Sequence, residues 1–141
     1  MLSTNRLLNR IIKSKDLKEM LEQNKDEFEE RSIADYLNHL CYIHGEVPEH
    51  VIKKAQIDRT YGHQIFNGTR LPSRDKLIQL AFGFGLSLDE TQELLKMSGK
   101  SILYAKIKRD AVFIFAISNH KSMLEVQEIL ESEDLPLLGQ V

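Results

Sequence analysis

The sequence predicts an all-α fold, and three features of its residues support this prediction. Apolar residues recur at intervals of three and four positions along most of the chain, whereas the apolar and polar alternation of a half-buried strand is missing. With seven glycines and three prolines in 141 residues, few positions interrupt such helices. Serine or aspartate, which cap helix N-termini well, stands before several of the apolar stripes.

Length and composition are those of one globular domain with its own core and an appended subdomain. The chain is 42% hydrophobic and has a net charge of -2. A single cysteine, Cys41, excludes an internal disulfide. Because neither a signal sequence nor a run of about eighteen apolar residues occurs, we expect a cytoplasmic protein without membrane contact.

The central region begins with three predicted helices, at about 32–44, 48–55 and 59–66. Ser32 and Asp58 are suitable N-caps for the first and the third helix, and Gly45 ends the first. Pro48 suits the first turn of the second helix, where its missing N–H is not needed. Two short helices joined by a few residues have the geometry of a helix-turn-helix.

Four more helices are predicted at about 74–84, 88–97, 109–119 and 123–133, and the last two repeat the first two. Residues 74–95 and 109–130 align at an offset of 35 with eight identities in 22 positions. Ser87 with Glu90, and Ser122 with Glu125, form equivalent capping boxes. The apolar run 111–117 could be a buried strand, but its repeat partner has helical spacing. We therefore interpret it as a helix that is buried on most sides or meets another protomer.

From Val51 to Glu90 the chain reads V-x-x-x-A-x-I-D-R-T-Y-x-x-Q-I-F-N-G-T-R-x-P-S-x-x-x-L-x-x-L-A-x-x-x-G-L-S-L-D-E. This stretch resembles the phage-repressor (Xre/Cro-type) DNA-binding family position for position. The resemblance implies a five-helix, repressor-like helix-turn-helix domain over residues 32–99. The helix at 59–66 would then enter the major groove of double-stranded DNA as the recognition helix.

The open face of that helix carries side chains that suit base edges, since Gly62, Ile65 and Phe66 should face the core. The resemblance points to four base-reading residues: Arg59, Thr60, His63 and Gln64. Phosphate contacts are expected from the exposed N–H groups near Pro48 and from four side chains: Lys53, Lys54, Asn67 and Arg70.

The chain departs from the family at several positions. Pro48 stands where a phosphate-binding Gln is usual, and Gln56 where the tight turn usually has Gly. Gly62 replaces a bulky aliphatic residue, whose space we expect Tyr61 to fill. Cys41 and Phe66 take the places of an Arg-Glu pair. Over residues 32–72 four basic residues are matched by four acids, whereas DNA-binding domains are commonly basic.

Residues 1–31 are predicted to form an amphipathic helix followed by a linker. Four basic residues precede the first acid, which would suit a membrane or nucleic acid, but packing against protein or between two protomers is favoured. Residues 24–31 are polar and acidic, as in a linker or a solvated turn. Residues 100–141 are predicted to form the C-terminal helical hairpin and a loose tail.

Other kinds of site are disfavoured by the sequence. Cys41 and His44 have metal-ligand spacing, but Cys41 lies on an apolar stripe and no second cysteine exists, so no metal or cofactor is expected. No nucleophile, base and orienting group can be assembled, so we do not expect an enzyme. The sequence predicts a homodimeric, sequence-specific transcriptional regulator. The alternative is a protein-interaction module, such as an antitoxin or adaptor, that holds a protein partner through its C-terminal helices.

Overall fold

The structure describes residues 2–28 and 32–139. In this computed structural model those residues contain nine α-helices, one 3₁₀ helix and no strand, so the all-α prediction is confirmed for them. No helix within these described residues is long and apolar enough to cross a membrane. The chain divides into two compact units, Met1–Arg31 and Ser32–Val141, so the C-terminal hairpin belongs to the same unit as the central helices.

The N-terminal unit contains two short helices, and the prediction of a single amphipathic helix is wrong. Ser14 leaves the helical conformation, and the Asp16 carboxylate then accepts the Glu19 N–H, which caps a second helix. The elements are α1 (Thr4–Lys13), α2 (Leu17–Gln23) and a 3₁₀ helix (Lys25–Glu27).

Asn24 lies at the start of the predicted linker but is buried. Its side-chain amide donates to the Met20 carbonyl at 2.8 Å, and its side-chain oxygen accepts from Arg10 at 3.0 Å. A hydrogen-bonded, buried asparagine at a helix end fixes a turn, because its polar groups are satisfied there. Residues 29–31 of the predicted linker lie outside the described residues.

Seven helices follow, and their ends lie within one residue of those predicted. They are α3 (Ile33–His44), α4 (Pro48–Lys54), α5 (Arg59–Asn67), α6 (Arg74–Phe84), α7 (Leu88–Met97), α8 (Lys108–Ser118) and α9 (Met123–Ser132). The agreement is close because local capping chemistry ends the helices. Five side chains accept an N–H three residues ahead: Ser32, Asp58, Ser73, Ser87 and Ser122.

Helix α4 crosses α6 closely, and this crossing holds the short α4–α5 pair on the core. A Cβ at Gly83 would lie 2.6 Å from the Val51 carbonyl oxygen, so only glycine permits the approach. At the end of α4 the buried Gln79 side chain donates to the Ala55 carbonyl at 3.1 Å. Helices α3 and α5 are joined where the Asn38 amide donates to the Phe66 carbonyl at 2.9 Å.

The internal repeat is present as two helical hairpins, α6–α7 and α8–α9, which are linked by reciprocal ion pairs. Arg74 donates to both carboxylate oxygens of Asp110, at 3.0 and 2.9 Å. Its equivalent, Arg109, donates to both oxygens of Asp75, at 2.9 and 3.0 Å. Each hairpin thus offers the same Arg-Asp pair to the other, which is the pattern that a pseudo-twofold arrangement produces. The run 111–117 lies within α8, so the strand alternative is wrong.

The repeat extends beyond the aligned residues to Leu138, and the prediction of a loose tail is wrong for the residues described up to 139. Gln92 pairs with the backbone N–H and C=O of Leu103, and Gln127 pairs in the same way with Leu138, 35 residues later. Leu138 is buried in the core. In the sequence Leu103 and Leu138 are the single identity between residues 96–106 and 131–141, which is too little to show the continuation of the repeat. Residues 140 and 141 lie outside the described residues.

Candidate nucleic-acid interface

Helix α5 divides into a buried and an open face as its spacing predicts. Gly62, Ile65 and Phe66 are buried in the core. The other face is open and carries the predicted site residues: Arg59, Thr60 and Asn67 are exposed, and His63 and Gln64 are partly exposed. The helix therefore presents a row of polar side chains while its apolar side holds it on α3 and α4.

Gly62 has a packing role that the sequence prediction assigned wrongly. A Cβ at this position would lie 2.5 Å from Cγ2 of Ile52, so the α4 side chain occupies the space. Tyr61 instead packs partly against the core, and the Arg70 guanidinium lies 4.5 Å from the centre of its ring. A larger residue at 62 would push α5 away from α4.

Glu49, in the first turn of α4, joins two of the predicted base-reading side chains. Its carboxylate accepts from Arg59 Nε at 2.8 Å and is 2.6 Å from His63 Nε2. The hydrogen bonds from Arg59 and then from His63 lower the pKa of Glu49, and the same pairing raises the pKa of Arg59. All three side chains remain open to solvent, with 41–78% of each exposed. The carboxylate therefore holds both donors on one surface.

The sequence prediction treated Glu49 only as an acid that would repel phosphate. The signal for its role was the spacing of Arg59 and His63, which lie one turn apart on the open face and can meet a single carboxylate. Which acid would meet them depends on the crossing of α4 and α5. The local sequence does not determine the angle at which these two helices cross.

The C-terminal end of α5 forms a second polar group. Arg70 Nε donates to the Gln64 side-chain oxygen at 3.1 Å. The Asn67 side-chain oxygen accepts the Thr69 N–H at 2.9 Å and also the Thr69 hydroxyl, which closes a turn after the helix. Gln64 is thus held by a basic neighbour, and the Asn67 side chain is engaged in local structure.

The two lysines at the end of α4 lie in a different setting. Lys54 donates to Glu46 at 2.8 Å, and this hydrogen bond lowers the pKa of Glu46. Lys53 and Lys54 also line a groove of about 400 Å³ whose other side includes Met123 and Leu124 of α9. Lys54 is therefore paired with Glu46, a different acid from the Glu49 that binds Arg59 and His63.

Cys41 and the nearby histidines show no arrangement for catalysis or metal binding. Burial raises the pKa of the Cys41 thiol, which disfavours the reactive thiolate. His44 Nε2 lies 2.7 Å from Glu90, so that histidine is engaged between α3 and α7. Within residues 2–28 and 32–139, no group of three or more His, Cys, Asp or Glu side chains could hold a metal ion.

Comparison with known proteins finds no match among protein-family models, curated proteins or solved structures.

Proposed function

We propose that this chain is a sequence-specific DNA-binding transcriptional regulator. In this proposal α3–α7 act as a repressor-like domain, α4 and α5 form its helix-turn-helix, and α5 enters the major groove. The observation that carries the proposal is the open face of α5, where the Arg59, His63 and Gln64 side chains project from a helix held on the core. Arg and Gln side chains form bidentate hydrogen bonds with guanine and adenine, respectively.

Glu49 supports the proposal as a positioning residue. A guanidinium that is already oriented loses less conformational freedom when it meets a guanine edge, because the entropy cost has been met on folding. The same carboxylate lowers the positive charge near the phosphates. Weak non-specific binding and stronger discrimination between sequences follow from this combination.

A homodimer is part of the proposal. One helix the length of α5 reads only a few base pairs, whereas a twofold pair presents two such helices to half-sites about 34 Å apart. The remaining assigned contacts are to phosphates, from Lys53, Lys54, Asn67 and Arg70, with the N–H groups at the start of α4.

The experiment is selection of a preferred site from random duplex DNA, followed by affinity measurements for that site and for a scrambled duplex. Arg59→Ala and Gln64→Ala should each weaken binding to the preferred site by about 5- to 150-fold, since each removes a base contact. Glu49→Gln should raise affinity for the scrambled duplex and reduce the ratio between the two duplexes. Glu128→Ala, an exposed position on α9, is the matched control and should change neither affinity.

A second candidate function, a protein-interaction module on this fold, is favoured by one observation. Glu46 and Glu49 pair with Lys54 and Arg59, so two of the four basic residues in 32–72 are already neutralised within the chain. If no duplex is enriched, or if Arg59→Ala and Gln64→Ala bind the selected site as well as the parent does, DNA reading by α5 is refuted. The interaction module then becomes the better account.

A further inference from the structure

Helices α6 and α8 are equivalent in the internal repeat, but only one of them has its outer face covered. On α6 that face is buried, with Pro72 and Leu80 in the interior and Gly83 against the Val51 carbonyl of α4. The equivalent positions on α8, 35 residues later, are Ile107, Phe115 and Ser118, and all three are exposed. Ile107 and Phe115 are each 53% exposed.

The exposed face of α8 is more apolar than its covered counterpart, whose equivalent positions include Lys76 and Gln79. From Ala111 to Ile117 the helix contains no polar or charged side chain, although only Phe113, Ala116 and Ile117 of these residues are buried. A helix that is apolar on all sides is normally enclosed on all sides. We define the α8 outer face by four side chains: Ile107, Ala111, Ile114 and Phe115.

We infer that the α8 outer face pairs with the α8 outer face of a second copy of this chain, with the two helices antiparallel. A twofold interface brings the same surface of both copies together, and an uncharged apolar surface is complementary to itself. A charged partner would find no opposite charge on this face to pair with. In the dimer, the nonpolar side chains of the partner's α8 would cover Ile107 and Phe115, and both copies would bury these residues away from water.

The charges at the two ends of α8 favour the antiparallel arrangement. The first turn carries the basic residues Lys108 and Arg109, which oppose the helix dipole, and the last turn has no basic residue. Within the chain Lys108 pairs with Glu133 and Arg109 with Asp75, so in an antiparallel pair it is the exposed Lys106 of one copy that lies near the C-terminal end of the other α8. Each copy thus adds one positive charge near the C-terminal end of the other α8, beside its own Lys121.

The pairing deepens the DNA-binding proposal and takes its biological role from it, because the dimer would present two α5 helices. Dimer formation itself needs no DNA. The face is one helix of about 16 Å with flanking residues, smaller than a standard interface, so we expect a reversible dimer with micromolar dissociation.

The test is sedimentation velocity of the full chain without DNA, from micromolar to hundreds of micromolar. The parent should pass from monomer to dimer over this range. Phe115→Glu places a carboxylate in the apolar contact around the partner's Ile107, and the cost of removing it from water should keep the variant monomeric. Leu124→Glu, at a 61% exposed position on α9 outside the face, is the matched control and should dimerise as the parent does.

Thermal unfolding of each variant controls for folding, and Phe115→Ser replaces Phe115→Glu if the latter melts early. A parent that is monomeric at every concentration overturns the inference, as does a dimer that survives both Phe115 substitutions. A dimer that is lost equally with Leu124→Glu overturns it too. A dimer sensitive only at Phe115, in a chain that selects no DNA, would uphold this interface and refute the DNA-binding proposal alone.

Discussion

Replacing Arg74 with methionine removes the guanidinium that neutralises Asp110 while keeping most of the aliphatic stem. Arg74 donates two hydrogen bonds to this carboxylate and others to the carbonyls of Ser101 and Ile102. The Asp110 side chain is 3% exposed, and only the Tyr104 N–H, at 3.0 Å, remains as a donor after the substitution. The variant therefore leaves a nearly unsolvated charge.

The cost follows from that burial. Removing one partner of a buried ion pair typically destabilises a protein by about 3–5 kcal/mol, because the other charge is left uncompensated. The pseudo-equivalent Arg109→Met leaves Asp75, whose side chain is 19% exposed and is reached by water. Leaving a partly hydrated carboxylate without its ion-pair partner lowers the stability by about 1–3 kcal/mol. The lost contact of Arg109 with the Phe113 ring lowers it by about a further 0.5–1 kcal/mol. Arg74→Met should therefore be the more destabilising change.

Urea unfolding followed by far-ultraviolet circular dichroism measures these free energies at neutral pH. Arg74→Met/Asp110→Leu should be about 2 kcal/mol more stable than Arg74→Met alone, because it removes the buried charge itself. Lys108→Met, which breaks an ion pair of exposed side chains with Glu133, is the control and should change stability by less than about 1 kcal/mol. A double variant no more stable than Arg74→Met would show that the cost does not come from the buried carboxylate.

Two further predictions concern stability. Gln56 has a positive φ of 56°, so Gln56→Gly should stabilise the fold by about 0.5–1 kcal/mol in urea unfolding, whereas Lys53→Gly within α4 should destabilise it. Burial acts to raise the pKa of Asp75, but the hydrogen bond and charge of Arg109 outweigh it and hold that pKa below its ordinary value of 3.8. The resulting stabilisation is present above pH 3.8 and is lost as pH falls through the lower folded value. An Asp75→Asn variant that loses as much stability as the parent over this acid range would contradict the assignment.

The helix ends were predictable because the groups that set them are neighbours in sequence. Ser32, Asp58 and Ser73 each cap a helix through an N–H three residues away, and Gly45 and Gly68 adopt the left-handed conformation that ends α3 and α5. The open face of α5 was predictable for the same reason, since helical periodicity alone separates Arg59 from Ile65. The prediction of a single N-terminal helix was wrong because an aspartate such as Asp16 can either continue a helix or cap the start of a new one, and here it caps α2.

The pairings across helices were not predictable, because crossing angles bring together residues far apart in sequence. Glu49 meets Arg59 and His63 only because α4 crosses α5 over the Gly62–Ile52 contact. A repressor-like resemblance implies which face of α5 is open but not which acid lies beside it. The structure thus gives Glu49 two partners, Arg59 and His63, that the sequence interpretation did not assign to it.

By itself the sequence determined an all-α chain, the ends of seven helices, the duplication of a hairpin and the polar face of α5. These properties depend on capping, periodicity and identity at fixed spacing, all of which are local. Only the tertiary structure decided that the duplicated hairpins meet through reciprocal Arg-Asp pairs, that Leu138 is core, and that α6 is covered where α8 is open. These features depend on which helix surfaces pack together and exclude water, and the packing is set by all of the helices at once.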